Sequence, residues 1–68
     1  MKGSSMNDIN IKILQNEIRG DISLLNNLET LMEDPNTAPD RIPVYRASYG
    51  RVLEKIQEKR FKLDELRG

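Results

Sequence analysis

The chain contains no cysteine, no histidine and no tryptophan. Without cysteine there is no disulfide framework and no thiolate nucleophile. Without histidine, the chain lacks the commonest metal ligand and the commonest general base, so Ser-His and Cys-His catalytic pairs are excluded. These absences predict a protein that is not an enzyme and that holds neither a cofactor nor a metal ion.

Net charge and long apolar runs are lacking as well. Eleven Lys+Arg residues balance 11 Asp+Glu residues, whereas nucleic-acid binders usually carry an excess of basic residues. No apolar run exceeds two residues, as at Ile13-Leu14, and both a membrane-spanning helix and a signal peptide need far longer runs. We therefore expect a cytoplasmic protein that does not act on membranes, and nucleic acid is the less favoured partner.

The length of 68 residues allows one small domain. A short Gly/Ser-containing leader, residues 1–5, precedes a second methionine at Met6. Such leaders are typical of expression vectors and are usually disordered. We predict a disordered, vector-derived segment over residues 1–5 and a single domain over residues 6–68.

Apolar residues recur three or four positions apart in two segments, which is the period of an amphipathic α-helix. The spacing predicts helices at about residues 8–33 and 43–67, the first capped by Asn7 or Asp8. Three prolines predict a loop at about residues 34–42, and Pro43 suits the first turn of the second helix. The periodic positions are Ile11, Leu14, Ile18, Leu25, Leu28 and Met32 in the first helix and Tyr45, Tyr49, Val52, Ile56, Leu63 and Leu66 in the second. The prediction is an all-α, coiled-coil-like antiparallel hairpin.

The two apolar patterns also predict the register of the hairpin. Facing positions of an antiparallel pair have a constant sum of residue numbers, and here the sum is 77, as for Met32 with Tyr45. Two polar residues interrupt the patterns, Asp21 opposite Ile56 and Lys59 opposite Ile18. They fall in adjacent layers and carry opposite charges, so they either pair within the seam between the helices or both extend into water.

Further apolar residues lie outside this seam and make the apolar surface wider than two helices need. Ile9, Ile13 and Val44 add to this surface. The predicted dimer or partner interface consists of Ile22, Leu24, Leu31, Leu53 and Phe61. A homodimer that forms a four-helix bundle would bury such a surface, and so would a helical surface of a larger protein.

The second helix is rich in basic residues, which suggests a dimeric nucleic-acid-binding regulator as the alternative. Its predicted phosphate contacts are Arg51, Lys55, Arg60 and Lys62. Acidic residues are interleaved, however, and the spacing of four residues predicts the ion pairs Glu58–Lys62 and Arg60–Asp64. A solvated, salt-bridged face is the favoured interpretation of this charge pattern.

In length and helical repeat the chain resembles the Rop-type plasmid regulators, helical hairpins that dimerise and bind RNA. It is similar in size to the hairpin phosphatases of sporulation phosphorelays, but their Ser-Gln-x-Leu-Asp signature is missing, since Ser48 is followed by Tyr49, Gly50 and Arg51. No specific motif supports either likeness, so no family is assigned. We predict a small interaction module of the regulator, inhibitor or co-chaperone type, with a bacterial, phage or plasmid origin.

Overall fold

A computed structural model describes residues 4–68, with side chains from Met6 onward, and shows an all-helical hairpin. Helix α1 spans Ser4–Glu33, a 3₁₀ turn spans Pro39–Arg41, and helix α2 spans Ile42–Arg67. No strand occurs among the described residues. The two helices pack along their length into a rod whose Cα atoms extend over 54 × 15 × 11 Å. The predicted fold class, an all-α two-helix hairpin, is confirmed.

Helix α1 begins four residues before the predicted start. Asn7 and Asp8 therefore lie inside the helix and do not cap it. Residues 4–8 contain neither proline nor glycine, so nothing in their backbone stops the helix from extending to Ser4. Residues 1–3 of the predicted leader lie outside the described residues, whereas Ser4 and Ser5 belong to α1.

The connection between the helices is held by local hydrogen bonds. The backbone amide of Thr37 donates to the Asp34 carbonyl at 3.0 Å, and the amide of Asn36 donates to the Asp34 carboxylate at 2.9 Å. The Thr37 hydroxyl donates to the carbonyl of Leu31, one of the last carbonyls of α1 and therefore without an intrahelical partner. Pro43 lies in the first turn of α2, as predicted. These contacts reverse the chain, so that α2 returns antiparallel to α1.

The core lies along the predicted seam. Its buried residues are Ile18, Leu25, Leu28, Val52, Ile56 and Leu63, and the partly buried residues packed against them are Ile11, Leu14, Tyr45 and Tyr49. The burial of these positions is confirmed, but the core is thin. Ile56 is the least exposed of the buried apolar residues and still keeps 5% of its surface accessible. Two helices bury only one stripe of each, and the other faces remain open.

Candidate functional site

A polar cluster interrupts the apolar seam near its middle. The ammonium of Lys59 donates to Oδ2 of Asp21 at 2.7 Å and lies 3.4 Å from Oε1 of Glu17. In the predicted register Lys59 lies opposite Ile18, and its two carboxylate partners are close neighbours of Ile18 on α1. The side chains of Lys59 and Asp21 are only 25% and 20% exposed. The structure therefore has the paired arrangement, and the two side chains do not extend separately into water.

This cluster keeps Lys59 positively charged. The hydrogen bond that Lys59 donates to Asp21 raises the pKa of Lys59 above its ordinary value of 10.5, and desolvation by the surrounding helices opposes the shift. Attraction from the Asp21 charge and contact with Glu17 raise the pKa further. A lysine that acts as a base or nucleophile near pH 7 needs a lowered pKa instead. The cluster is therefore suited to fixing the helix register, not to proton transfer.

Residues 6–68 hold neither a metal-binding cluster nor a membrane-spanning stretch. Within this range, no group of three or more His, Cys, Asp or Glu side chains is arranged to hold a metal ion. Neither α1 nor α2, as far as they are described, contains a stretch that is long and apolar enough to cross a membrane. The features left for a functional site are the exposed apolar and basic surfaces.

The hairpin exposes more large apolar residues than it buries. The exposed ones are Met6, Ile9, Ile13, Ile22, Leu24, Leu31, Val44, Leu53 and Phe61. All five residues of the predicted interface belong to this set. Phe61 is the most exposed, with 69% of its surface accessible. Because large apolar side chains are normally covered, this exposed set is the candidate contact surface.

The grooves between the helices divide this surface into two sides. On one, which we call the arginine side, Arg19 and Ile22 of α1 line a groove together with Arg60 of α2. On the other, which we call the lysine side, Ile13 and Lys62 line one groove, and Glu17, Lys62 and Phe61 line the next. The two sides lie on opposite faces of the hairpin, one on each side of the seam.

The predicted interface residues do not share one side. Ile22 lines the arginine side, and Leu53 follows it there because it lies seven residues, about two helical turns, before Arg60. Leu24 and Leu31 lie seven and 14 residues after Glu17, which places them on the lysine side, where Phe61 also lies. The predicted set is thus split between two surfaces of unequal size.

The larger apolar surface is a stripe along α1 on the lysine side. Met6, Ile13, Leu24 and Leu31 follow one another at spacings of 7, 11 and 7 residues, which are about two, three and two turns. These four residues, the α1 stripe, are all exposed. The interface predicted from the sequence contains neither Ile13, which only adds to the apolar surface, nor Met6. The spacing of 11 residues was the signal that could have joined them to the two leucines.

The predicted nucleic-acid contacts do not form one stripe. Arg60 lines the arginine side and Lys62 the lysine side. Arg51 and Lys55 lie 11 and seven residues before Lys62 and share its side. The predicted ion pairs Glu58–Lys62 and Arg60–Asp64 are also wrong, because the ion pairs found among residues 6–68 all involve Lys59. Arg60 is thus separated from the other three predicted contacts, which share the lysine side.

Comparison with known proteins gives no match. No family model matches the chain, and no curated protein and no solved structure is significantly similar to it.

Proposed function

We propose that this protein is a non-enzymatic interaction module that acts through the apolar surfaces of its hairpin. The observation that supports this proposal most directly is that residues 6–68 expose nine large apolar side chains and bury six apolar side chains. We further propose that the first partner is a second copy of the chain, so that two hairpins form a four-helix bundle. A larger protein with a matching helical surface is the second class of partner, and a role as regulator, inhibitor or co-chaperone fits either case.

The physical argument is that the hairpin alone is poorly stabilised. A single core in a chain of this size rarely suffices without a disulfide, a metal or oligomerisation, and the chain has no cysteine. Covering a half-exposed leucine or isoleucine contributes on the order of 1 kcal/mol. Covering four or more such side chains adds a substantial fraction of the 5–15 kcal/mol by which small domains are typically stable. Association therefore supplies stability that the thin core lacks.

Self-association is tested by the solution mass, measured by light scattering after size exclusion over a hundredfold range of concentration. A homodimer gives a mass near twice 7.9 kDa that falls only at the lowest concentrations. A folded chain that stays monomeric over the whole range would exclude the four-helix bundle and would leave the larger protein as the partner.

The use of the apolar surface is tested by the double change Leu24→Asp and Leu53→Asp. It places one charge on each side of the hairpin and leaves the seam intact, so the helices should form while association is lost. The matched control is Ser23→Asp with Gln57→Asp, which adds the same charge at exposed polar positions. If both double variants associate like the unchanged chain, the exposed apolar residues are not the interface.

A further inference from the structure

We infer that the second copy docks on the lysine side, with the two α1 helices packed antiparallel in the register in which facing residue numbers add up to 37. The inference rests on the proposed self-association and deepens it, since it names the surface, the direction and the register. It places Met6 of one copy against Leu31 of the other, and Ile13 against Leu24. The arginine side then remains free for a further partner.

The first argument is the symmetry of the α1 stripe. A twofold contact between identical helices must be self-complementary, so each apolar residue needs an apolar counterpart at the mirrored position. The stripe meets this condition because its two pairs are centred on the same point, midway between Ile18 and Arg19. The hairpin's own packing does not explain the stripe, since all four residues are exposed. A contact with a second α1 helix explains the stripe.

The second argument is the glycine beside this centre. Gly20 lies between Ile13 and Leu24 on the same side of α1, and glycine within a helix costs about 1 kcal/mol relative to alanine. A Cβ atom added to Gly20 would meet nothing within 4 Å, so packing within the chain does not require a glycine there. In the proposed register Gly20 faces Glu17 of the second copy at the twofold axis. The missing side chain lets the two backbones approach closely at that point.

The third argument is size. The Cα atoms of the broad face extend over 54 by 15 Å, a projected area of about 800 Å², and each partner buries about 800 Å² of accessible surface in a standard stable interface. A stable partner must therefore cover a large part of this face. The α1 stripe runs for about 38 Å, and a second α1 lying antiparallel covers it from end to end. A short peptide or a single loop would not.

The fourth argument is the charge of the stripe's surroundings. The α1 residues that flank it on the lysine side are mostly uncharged, namely Asn10, Gly20 and Asn27. The exception is Glu17, whose carboxylate lies 3.4 Å from the ammonium of Lys59, a charge that it shares with Asp21 and that compensates it in part. Depletion of charge is typical of the centre of a protein interface, and here it allows two identical surfaces to meet without strong repulsion.

The register is tested by disulfide trapping, which is clean because the chain has no cysteine of its own. Ile13→Cys and Leu24→Cys chains, one of them carrying a size tag, are mixed, oxidised and separated on a non-reducing gel. The proposal predicts a mixed disulfide between the two variants. Each variant alone should form little disulfide-linked dimer. The cysteines of its two copies lie about 16 Å apart along the helix axis, and disulfides need Cα atoms within about 7 Å.

The matched control is the pair Gln15→Cys and Ile22→Cys, whose numbers also add up to 37 but which line the arginine side. We expect the mixed Ile13–Leu24 disulfide to exceed this control by about tenfold or more, because the control cysteines face away from the second copy. Asn10→Cys with Asn27→Cys, which flank the α1 stripe on the lysine side and whose numbers also add up to 37, gives a second test of the register should either first variant fold poorly.

Four outcomes would overturn the inference. Preferential trapping of the control pair would move the interface to the arginine side. Efficient disulfides between two copies of the same variant would indicate parallel helices. Absence of the mixed disulfide in both test pairs, while the mass stays near twice 7.9 kDa, would refute the register and leave the proposed self-association standing. A monomeric mass with no trapping would refute both.

Discussion

At the scale of single residues, the ion pair of Lys59 with Asp21 is the main polar device of the hairpin. The pair occupies layers that apolar residues would otherwise fill, and desolvation offsets part of its attraction. Its hydrogen bond of 2.7 Å and the 3.4 Å contact with Glu17 favour one relative position of the helices, because a shift by one turn would take Lys59 away from one of its two carboxylate partners. The value of the pair thus lies in its specificity for register as well as in stability.

A double-mutant cycle on this pair tests that view. Asp21→Ala should lower the free energy of unfolding by about 1–2 kcal/mol, since Lys59 keeps only the longer contact with Glu17. Combined with Lys59→Met, the cycle should give a coupling of about 1 kcal/mol in denaturant unfolding. A coupling near zero would show that the two side chains act independently and do not fix the register.

The pH dependence of stability gives a second measurement on Lys59. Its pKa is raised in the folded chain above the ordinary value of 10.5. The stability that it contributes is therefore fully present below pH 10.5 and is lost as the pH rises through the higher folded-state pKa. The difference in unfolding free energy between the chain and Lys59→Met should be constant from pH 8 to about 9.5 and shrink above pH 10.5. Lys55→Met, as the control, should keep the decline that Lys59→Met removes, and a difference that grows with pH would contradict the assignment.

Gly20 and Gly50 provide a matched pair of residue changes. A Cβ atom at either position meets nothing within 4 Å, and both glycines lie within helices. Each change to alanine should therefore stabilise the isolated hairpin by up to about 1 kcal/mol. Only Gly20→Ala should also weaken association, measured as the dissociation constant by sedimentation, because only Gly20 lies at the proposed twofold axis. Equal effects of the two changes on association would argue against close backbone approach at Gly20.

At the scale of the elements, the sequence predicted what depends on periodicity and missed what depends on helix ends. The seam positions follow from steps of three and four residues, and their burial is confirmed. The predicted start of α1 is four residues too late, because Asn7 and Asp8 are good capping residues that are equally able to lie within a first turn. The 3₁₀ turn at Pro39–Arg41 is not predicted for a similar reason. A segment with these prolines is compatible with several turn conformations.

The connection between the helices can be tested at Thr37. Thr37→Val keeps the shape of the side chain but removes the hydroxyl that donates to the Leu31 carbonyl. Since that carbonyl lacks an intrahelical partner, the loss should lower the free energy of unfolding by about 1 kcal/mol. Thr30→Val is the control, because the Thr30 hydroxyl bonds at 3.0 Å to a carbonyl already within the helix ladder, so its loss should cost less than about 0.5 kcal/mol. Equal costs would show that the hydroxyl of Thr37 does not hold the end of α1.

At the scale of the whole molecule, the sequence indicated how much apolar surface is exposed but not how it is divided. Ile22, Leu24 and Phe61 were grouped because all lie outside the seam. Their separation onto the arginine and lysine sides depends on which flank of the seam each occupies. The same geometry separates Arg60 from Lys62, although they are two residues apart. Membership of the seam follows from spacing alone, whereas the composition of each side requires both helices in place.

The arrangement of the whole dimer makes one more prediction, at the rim formed by α2. Facing residue numbers add up to 77 within a hairpin and to 37 between the two α1 helices. The facing residue numbers of the two α2 helices therefore add up to 117. Lys55 of one copy then faces Lys62 of the other, and this repulsion occurs twice. Lys55→Glu converts both repulsions into attractions and should tighten the dimer by about 1 kcal/mol in total, a severalfold lower dissociation constant.

The alternative bundle, in which α1 of one copy covers α2 of the other, predicts the opposite response to this change. There residue 55 lies close to Leu24 and Glu17 of the second copy, so a glutamate would add repulsion and weaken association. Lys12→Glu makes the same change of charge on α1, away from the α1 stripe, and corrects for the altered net charge. Dissociation constants measured at low and at high salt separate the two bundles. If like helices face each other across the twofold axis, Lys55→Glu lowers the dissociation constant of the dimer. High salt then brings this constant back toward that of the unchanged chain, because it screens the new attraction and the original repulsion alike.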